Sequence, residues 1–460
     1  MDKLAHLRDA HPSINYNAFS WQITPDQGLD IYYEYRLEKG VRFSHRVNFA
    51  QLPPRTLEKL KLRDSDCLAA LDQFAFQLGI IELFSYWKLT CCQLIKISAR
   101  PLPSPTLQFW QKLLIRGMGE YFYVNQIDFT ASDFVRWEIT DAAPQIFDTW
   151  KAPFGRVLVG FAGGKDSLVT AHLLKKEHLP ISALIVQPAS PAATATAQSF
   201  DIPIHLVSRH FDPQLLTLNK TLDDAGQTIY FNGHVPFSAS LAFIGNLCQL
   251  LYDCREFVVS NEQSAHEATT TWQGQPINHQ YSKSPEFEKD FQNYCHNFLS
   301  TKLHYYSYLR NFYELKIAQL FSELATPQDL VTFRSCNVGQ KENIWCEHCS
   351  KCLFVFLMLF PFLDTHILTN KIFSHNLFED ESLIPILDQL AGLTPSKPLE
   401  CVGTIDEVQA AGYLAIAKYL LSGRQLPPLL SHLMSTVIKN VDNWNDRVAV
   451  FLAPVNKQGV

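Results

Sequence analysis

One short segment constrains the fold more than any other. Arg156-Val157-Leu158-Val159-Gly160-Phe161 is an apolar run with the length of a buried strand, and Ala162-Gly163-Gly164-Lys165-Asp166-Ser167 follows at once. Over residues 167–177 the placing of Val169, Leu173 and Leu174 predicts a helix. Lys175 and Lys176 fall in its last turn, where the helix dipole favours cations. Further short apolar runs at 183–186, 204–207 and 257–259 are separated by helical stretches. That alternation predicts an α/β fold with a doubly wound, mostly parallel sheet.

The glycine turn carries chemistry as well as geometry. Paired glycines let the backbone bend sharply and bring its N–H groups close to a phosphate, and a helix N-terminus adds partial positive charge. Gly163, Gly164, Lys165, Asp166 and Ser167 are therefore the expected nucleotide-binding residues. Lys165 can neutralise phosphate oxygens, Ser167 can donate a hydrogen bond, and Asp166 can hold Mg²⁺ or orient the loop. The segment is not a Walker loop, because Asp166 separates Lys165 from Ser167, and it is not a G-x-G-x-x-G fingerprint. An ordinary glycine turn is the plain alternative. The strand before it and the helix after it favour a phosphate cradle.

A second constellation is Cys336, Cys346, Cys349 and Cys352, spaced C-x9-C-x2-C-x2-C. Four thiolates can close a tetrahedral Zn²⁺ site. An iron–sulfur cluster, or reduced cysteines packed as small hydrophobes, are the other readings. The total of 11 cysteines is odd, and MDKLAHLRDAHPS does not read as a secretory signal, so a reducing cytoplasm is expected. The longest fully apolar run, 353–363, contains Pro361 and is far short of the ~20 residues a membrane span requires. The formal charge of −6, with no basic stripe, argues against a nucleic-acid partner.

A chain of 460 residues suggests two or three domains. Residues 1–150 read as an α+β domain, with a hairpin over 29–35 and 41–47 and helices over 71–94 and 106–118. They show no catalytic motif. Pro144 and Pro153 bracket a linker. Residues 151–365 hold the glycine loop and the cysteines, and 366–460 read as mainly helical with proline breaks. The Ala-, Ser-, Thr- and Pro-rich stretch 188–198 reads as a flexible loop. Two polar stretches, Ser260-Asn261-Glu262-Gln263-Ser264 and Asn278-His279-Gln280-Tyr281-Ser282-Lys283, suit a pocket at strand ends. His279 and Lys283 are the pair for proton transfer. Four residues apart, they would share a face if both lay on one helix.

The order strand, Ala-Gly-Gly-Lys-Asp-Ser, helix resembles the PP-loop pyrophosphatase superfamily, whose members cleave ATP between the α and β phosphates. GGKDSLVT, VSNEQSA, NHQYSKSPEFE, the RSCN…WCEHCSKCLFVFLML block and KPLECVGT occur in that order. Together they resemble the UDP-N-acetyl-α-D-muramoyl-L-alanyl-L-glutamate epimerases of peptidoglycan precursor synthesis. The resemblance spans about residues 150–410, and the N-terminal segment more loosely. Departures are Ala162 for the more frequent Ser, Gln263 for an expected Arg, and Glu347-His348 where a Gly is common.

The resemblance implies a PP-loop-type sheet, ATP and Mg²⁺ at the glycine loop, and a carboxyl-adenylate on the way from L- to D-glutamate. His279, Lys283, Tyr281, Cys336 and Cys401 are its candidates for proton transfer, either cysteine as a thiol base. Asn261, Glu262, Arg310, Arg334 and Lys351 are its candidates for holding the UDP-MurNAc-dipeptide. Other readings are a PP-loop ligase acting on a small carboxylate, similar to the 7-cyano-7-deazaguanine synthases, a tRNA-modifying enzyme, or a non-catalytic adenine-nucleotide sensor.

Overall fold

The computed structural model describes residues 2–148 and 155–455. The linker expected between Pro144 and Pro153 lies partly outside them. Ten strands form one sheet, in the order β12-β9-β6-β7-β8-β3-β2-β1-β4-β5. They are β1 Ser13–Ile23, β2 Leu29–Leu37, β3 Arg42–Phe49, β4 Leu94–Ile97, β5 Arg136–Ile139, β6 Val157–Gly160, β7 Ile181–Gln187, β8 Ile204–His210, β9 Glu256–Val259 and β12 Tyr305–Ser307. A separate hairpin pairs β10 Thr270–Trp272 with β11 Gln275–Ile277.

The two halves of the sheet differ in pattern because they differ in cover. From β12 to β8 every neighbouring pair is parallel. In this half β7 is buried over Ile181–Ile185 without alternation, as a strand covered on both faces must be. In β6, Val157 and Val159 face one core while Leu158 faces the other. β1, β2 and β3 form an antiparallel meander, and β3 joins β8 antiparallel, with Val47 opposite Arg209. β3 alternates buried and exposed along its length, as a strand packed on one face does.

Helix Ser65–Trp87 packs on the meander. It starts six residues before the expected 71–94 because Asp64 caps it, accepting from Cys67 N at 2.9 Å. Gly79 lets the sheet approach, since a Cβ there would lie 2.2 Å from the Tyr16 hydroxyl. Among the described residues it is the one helix long and apolar enough to cross a membrane. It is buried within the protein, as a core helix is. The expected hairpin and the second helix, seen at Leu107–Gly117, are present.

Stretch 188–198 is not a loop. Pro191–Gln198 is a helix whose cap is Ser190, with Pro191 at the first position. A Ser-Pro start followed by alanines is a helix-initiation signal, which the loop-like composition had masked. Among the described residues, those after 366 contribute only helices, of which Ile405–Leu421 and Trp444–Leu452 join the core containing helices Glu314–Leu324 and Ser350–Leu359.

Candidate active site

The glycine loop leaves β6 and enters a helix that begins at Lys165, two residues earlier than expected. Gly163 has φ +89°, and a Cβ there would meet Ala193 N at 2.7 Å, so neither the conformation nor the space tolerates a side chain. Arg334 N donates to Gly163 O at 2.8 Å, and Ser167 Oγ to Gly164 O at 3.0 Å. These bonds fix the loop at the carboxyl edge of the sheet, where ligands of open α/β sheets bind. A cavity of about 310 Å³ opens there. Gly164, Asp166 and Ser167 line it, with Asn261 from the end of β9, Lys283, and Gln340 from the cysteine-bearing loop.

Lys165 does not line that cavity. Its ammonium is buried against the carboxylates of Asp166 and Glu314. Burial works against the charge, and the two carboxylates outweigh it, holding the pKa above the ordinary lysine range. Its charge reaches a phosphate only if that phosphate displaces one of these partners.

A second cluster lies around Cys401. Lys283 Nζ is 3.0 Å from its Sγ, and His279 Nε2 is 4.0 Å away. Burial pushes the thiol up, but Lys283, then His279 and Lys351, more than offset it and bring it down to about 6. Such a sulfur is a thiolate at neutral pH. Burial pushes His279 down, while Cys401 and Glu120 raise it to about 9, so the imidazole is charged. Glu120 Oε2 meets His279 Nδ1 at 2.5 Å and His234 Nδ1 at 3.4 Å. Burial and the neighbouring cations hold His234 at about 4, in its neutral form.

Local sequence explains how these groups converge. His279 and Lys283 do not share a helix. Ser284 caps helix Pro285–Phe298, accepting from Phe287 N at 3.2 Å, with Pro285 first and Glu286 and Glu288 in the first turn. His279 and Lys283 therefore lie in the tight turn before it, which brings both toward Cys401. The loop of Cys401 is pinned by Lys351, whose ammonium donates to Cys401 O. It ends at Thr404, the cap of helix Ile405–Leu421 in a reciprocal box with Glu407.

The other expected residues divide. Arg310 clamps two pieces of the site from behind, donating to Glu262 O at 2.7 Å and Lys283 O at 2.6 Å while pairing with Glu288 at 2.9 Å. Glu262 is buried, and burial raises its pKa against the pull of Lys283. Tyr281 packs on Phe287 and is influenced by Glu286 and Asp290 rather than by Cys401. Arg334 bonds to the carbonyls of Asn343, Val331 and Phe333, and holds the cysteine-bearing loop. Cys336 belongs to that loop too, with Gly339 N and Cys346 N on its sulfur at 3.1 and 3.4 Å. Glu120, His234 and Glu314 were not assigned roles from sequence. Glu120 stands alone between apolar and aromatic residues, and only the fold carries it to His279.

The four cysteine sulfurs lie within 4.8 Å of one another, with contacts of 3.5, 3.8 and 3.9 Å. Four thiolates at ~2.3 Å from one tetrahedral ion would be about 3.8 Å apart. The residues present therefore fit a single Zn²⁺.

Comparison with known proteins gives one answer along the chain. A family model described as the MurL N-terminal domain matches residues 9–308, and one described as the MurL C-terminal domain matches residues 332–443. The chain is 30% identical over 377 residues to the UDP-N-acetyl-alpha-D-muramoyl-L-alanyl-L-glutamate epimerase of Salinispora tropica, covering 80% of this chain and 78% of that one. It is 31% identical over 351 residues to the protein of the same name from a Micromonospora species, with 74% of each chain covered. It is 31% identical over 352 residues to that of Xanthomonas oryzae pv. oryzae, again with 74% of each covered. No solved structure matches the chain. Matched by both family models and by relatives over 74–80% of its length, the chain belongs to the MurL family.

Proposed function

We propose that this chain is an ATP-dependent epimerase that converts the terminal L-glutamate of UDP-MurNAc-L-Ala-L-Glu to D-glutamate, in peptidoglycan precursor synthesis. The names of its relatives support the substrate and the inversion. The β6–glycine loop–helix geometry, with its cavity at the sheet edge, supports a PP-loop nucleotide site.

In this reading the glutamate α-carboxylate attacks the α-phosphorus of ATP, the bond to the β-phosphate breaks, and diphosphate leaves. Gly164, Ser167 and the helix N-terminus hold phosphate, and Asp166, which lines the cavity, would hold Mg²⁺. The acyl-adenylate has no carboxylate charge, so its Cα–H is far more acidic. The Cys401 thiolate takes that proton, and the electron pair moves into the acyl carbonyl, where the nearby Lys283 ammonium stabilises it. A proton from water, delivered to the opposite face of Cα, gives the D configuration; the Cys401 thiol gives up its proton to the hydroxide left behind, and a second water cleaves the anhydride to release AMP. Each tenfold gain in the proton-transfer step needs about 1.4 kcal/mol of transition-state stabilisation. One Zn²⁺ on Cys336, Cys346, Cys349 and Cys352 would pin the loop that carries Gln340 to the cavity.

The observation that carries the chemistry is the Cys401 sulfur held beside Lys283 and His279. The test is incubation with ATP, Mg²⁺ and UDP-MurNAc-L-Ala-L-Glu in deuterated water. D-glutamate bearing deuterium at Cα, with AMP and diphosphate, is the expected result. Diphosphate without inversion would replace the epimerase with a ligase, and no diphosphate from folded protein would leave a nucleotide sensor.

A further inference from the structure

The proton-transfer cluster is not contained in the half of the chain that holds the glycine loop. Glu120 lies on helix Gly119–Val124, at the far end of the N-terminal region. It is brought to the site by docking of the β10–β11 hairpin. Trp272 of β10 donates its indole N–H to Ile127 O at 2.8 Å and meets Tyr123 edge-on, with ring centroids 6.0 Å apart. Gly119 faces Ile277 of β11, where a Cβ would already sit at 3.4 Å. His279 comes two residues after β11, so this docking sets the His279 ring against Glu120. From the other side, Lys88 Nζ donates to Gly233 O at 3.0 Å and Asn125 to Asn232 O at 2.9 Å, which fixes the loop of His234.

The outcome is an array of three groups. Glu120 Oε2 accepts from His279 Nδ1, and the opposite ring nitrogen, Nε2, faces Cys401 Sγ. A carboxylate on one nitrogen fixes the orientation of an imidazole and stabilises its charged form, as in acid–base triads on unrelated folds. We propose that Glu120 is the positioning residue of the proton-transfer site, holding His279 as an imidazolium whose Nε2–H faces the Cys401 thiolate.

The inference rests on the epimerase reading and deepens it: the N-terminal region supplies part of the active site. The charged and titratable groups around the array are Glu120, His234, Lys88, Lys283, Lys351 and Glu262. Of these, His234 is held neutral, Lys283 keeps its charge above the ordinary lysine range, and burial brings Lys88 down to about 8. Lys88 donates to Gly233 O rather than to His279 or Cys401, so within the array itself His279 is the group held charged up to about 9. Activity that requires both thiolate and imidazolium rises through about 6 and falls through about 9.

The experiment is the pH profile of kcat/KM for deuterium incorporation at Cα, in the wild type, E120Q and E120D. Thermal melting serves as the folding control. In E120Q the carboxylate charge is gone, so His279 loses its proton at lower pH. The alkaline limb should move down by about one unit or more, the size of effect a single opposite charge has at this range. E120D should keep the limb near its wild-type position. A merely structural role would lower the amplitude of E120Q without moving the limb, and that result overturns the proposal. So does metal bound beyond that of the four cysteines and lost in E120Q, because Glu120 and the two histidines would then be ligands rather than a hydrogen-bonded array. Should E120Q not fold, H279Q decides: it must abolish the alkaline limb, and a limb still near 9 overturns the proposal. Failure of the wild type to incorporate deuterium removes the epimerase reading itself. Wild-type incorporation with an unmoved E120Q limb removes only the role of Glu120.

Discussion

Two clusters in this protein each join a glutamate, a histidine and a cation, and they do opposite things. In the first, Arg209 grips Glu82 with two hydrogen bonds, at 2.9 and 2.6 Å, and His45 Nε2 lies 3.2 Å from the same carboxylate. His45 Nδ1 meets the Tyr86 hydroxyl at 3.2 Å, and that hydroxyl accepts from Asp212 N at 3.1 Å. His45 and Glu82 have no exposure at all, and neither lines the cavity. The cluster joins helix Ser65–Trp87 to β3 and β8, where the sheet passes from its meander to its parallel half. In the second cluster Cys401 is only half-buried, and Lys283, its neighbour, lines the cavity. A closed network of charges fixes architecture, whereas one left partly open to a cavity has capacity for a ligand.

The largest effect should come from the open cluster. Replacing Cys401 by Ala removes the base and should lower deuterium incorporation at Cα by ~10²–10⁴-fold, the range for general acid–base groups. Diphosphate release, measured in the same samples, should fall far less. Incorporation that survives C401A would move the chemistry elsewhere and undo the contrast.

Next comes the closed cluster. R209M leaves Glu82 buried beside a histidine alone and should cost about 3–5 kcal/mol, read from the urea midpoint. Epimerisation per folded molecule should hold at the wild-type level. The opposite split, stability intact and turnover lost, would place Arg209 with the chemistry.

Acid should then separate the two by pH. Burial alone would raise the Glu82 pKa, but Arg209 and His45 bring it down to about 2. A depressed folded value means that the stabilisation is complete above the unfolded carboxyl's ordinary range. It is lost as pH falls from there toward 2, and amounts to about 3 kcal/mol in all. Urea midpoints should therefore fall between pH 5 and 3 in the wild type, and more weakly in E82Q. Activity, governed by Cys401, should already decline below about 6, where the fold is still intact.

Sequence showed the parallel half of the sheet better than the site. The runs 157–160 and 183–186 announce their strands because burial on both faces demands apolar residues in succession, although the second strand extends to Ile181–Gln187. The glycine loop is equally plain, since Gly163 answers a local backbone need. The join of β3 to β8 is not legible, because pairing over 160 residues leaves no local pattern. The array through Glu120 is hidden for the same reason, since Glu120 and His279 are 159 positions apart. The spacing of His279 and Lys283 suggests a shared helix face for proton transfer; the structure sets them in a turn instead, and the sulfur of Cys401 that both approach has no local signal linking it to them. Arg334 illustrates the converse: an arginine beside a motif invites an anion, yet backbone carbonyls occupy this one.

The smallest effect tests whether the Cys401 loop needs its own anchor. Two helices begin with the same reciprocal cap, Thr326 with Asp329 and Thr404 with Glu407. Removing either hydroxyl, in T326A or T404A, should cost about 1 kcal/mol of stability by denaturant titration. The two caps differ in what precedes them. Thr404 follows Cys401 by three residues, and its backbone N–H is held by Glu407 Oε2 at 2.8 Å, an oxygen that also accepts from Ser264 at 2.6 Å. Ser264 lies two residues after Glu262, so the cap ties the thiol loop to the segment that Arg310 clamps. T404A should therefore lower kcat for deuterium incorporation about tenfold, while T326A at equal stability should leave it alone. Equal kcat in the two variants would show that Lys351 and Lys397, which hold the carbonyls of Cys401 and Gly403, position the sulfur without help from the helix cap.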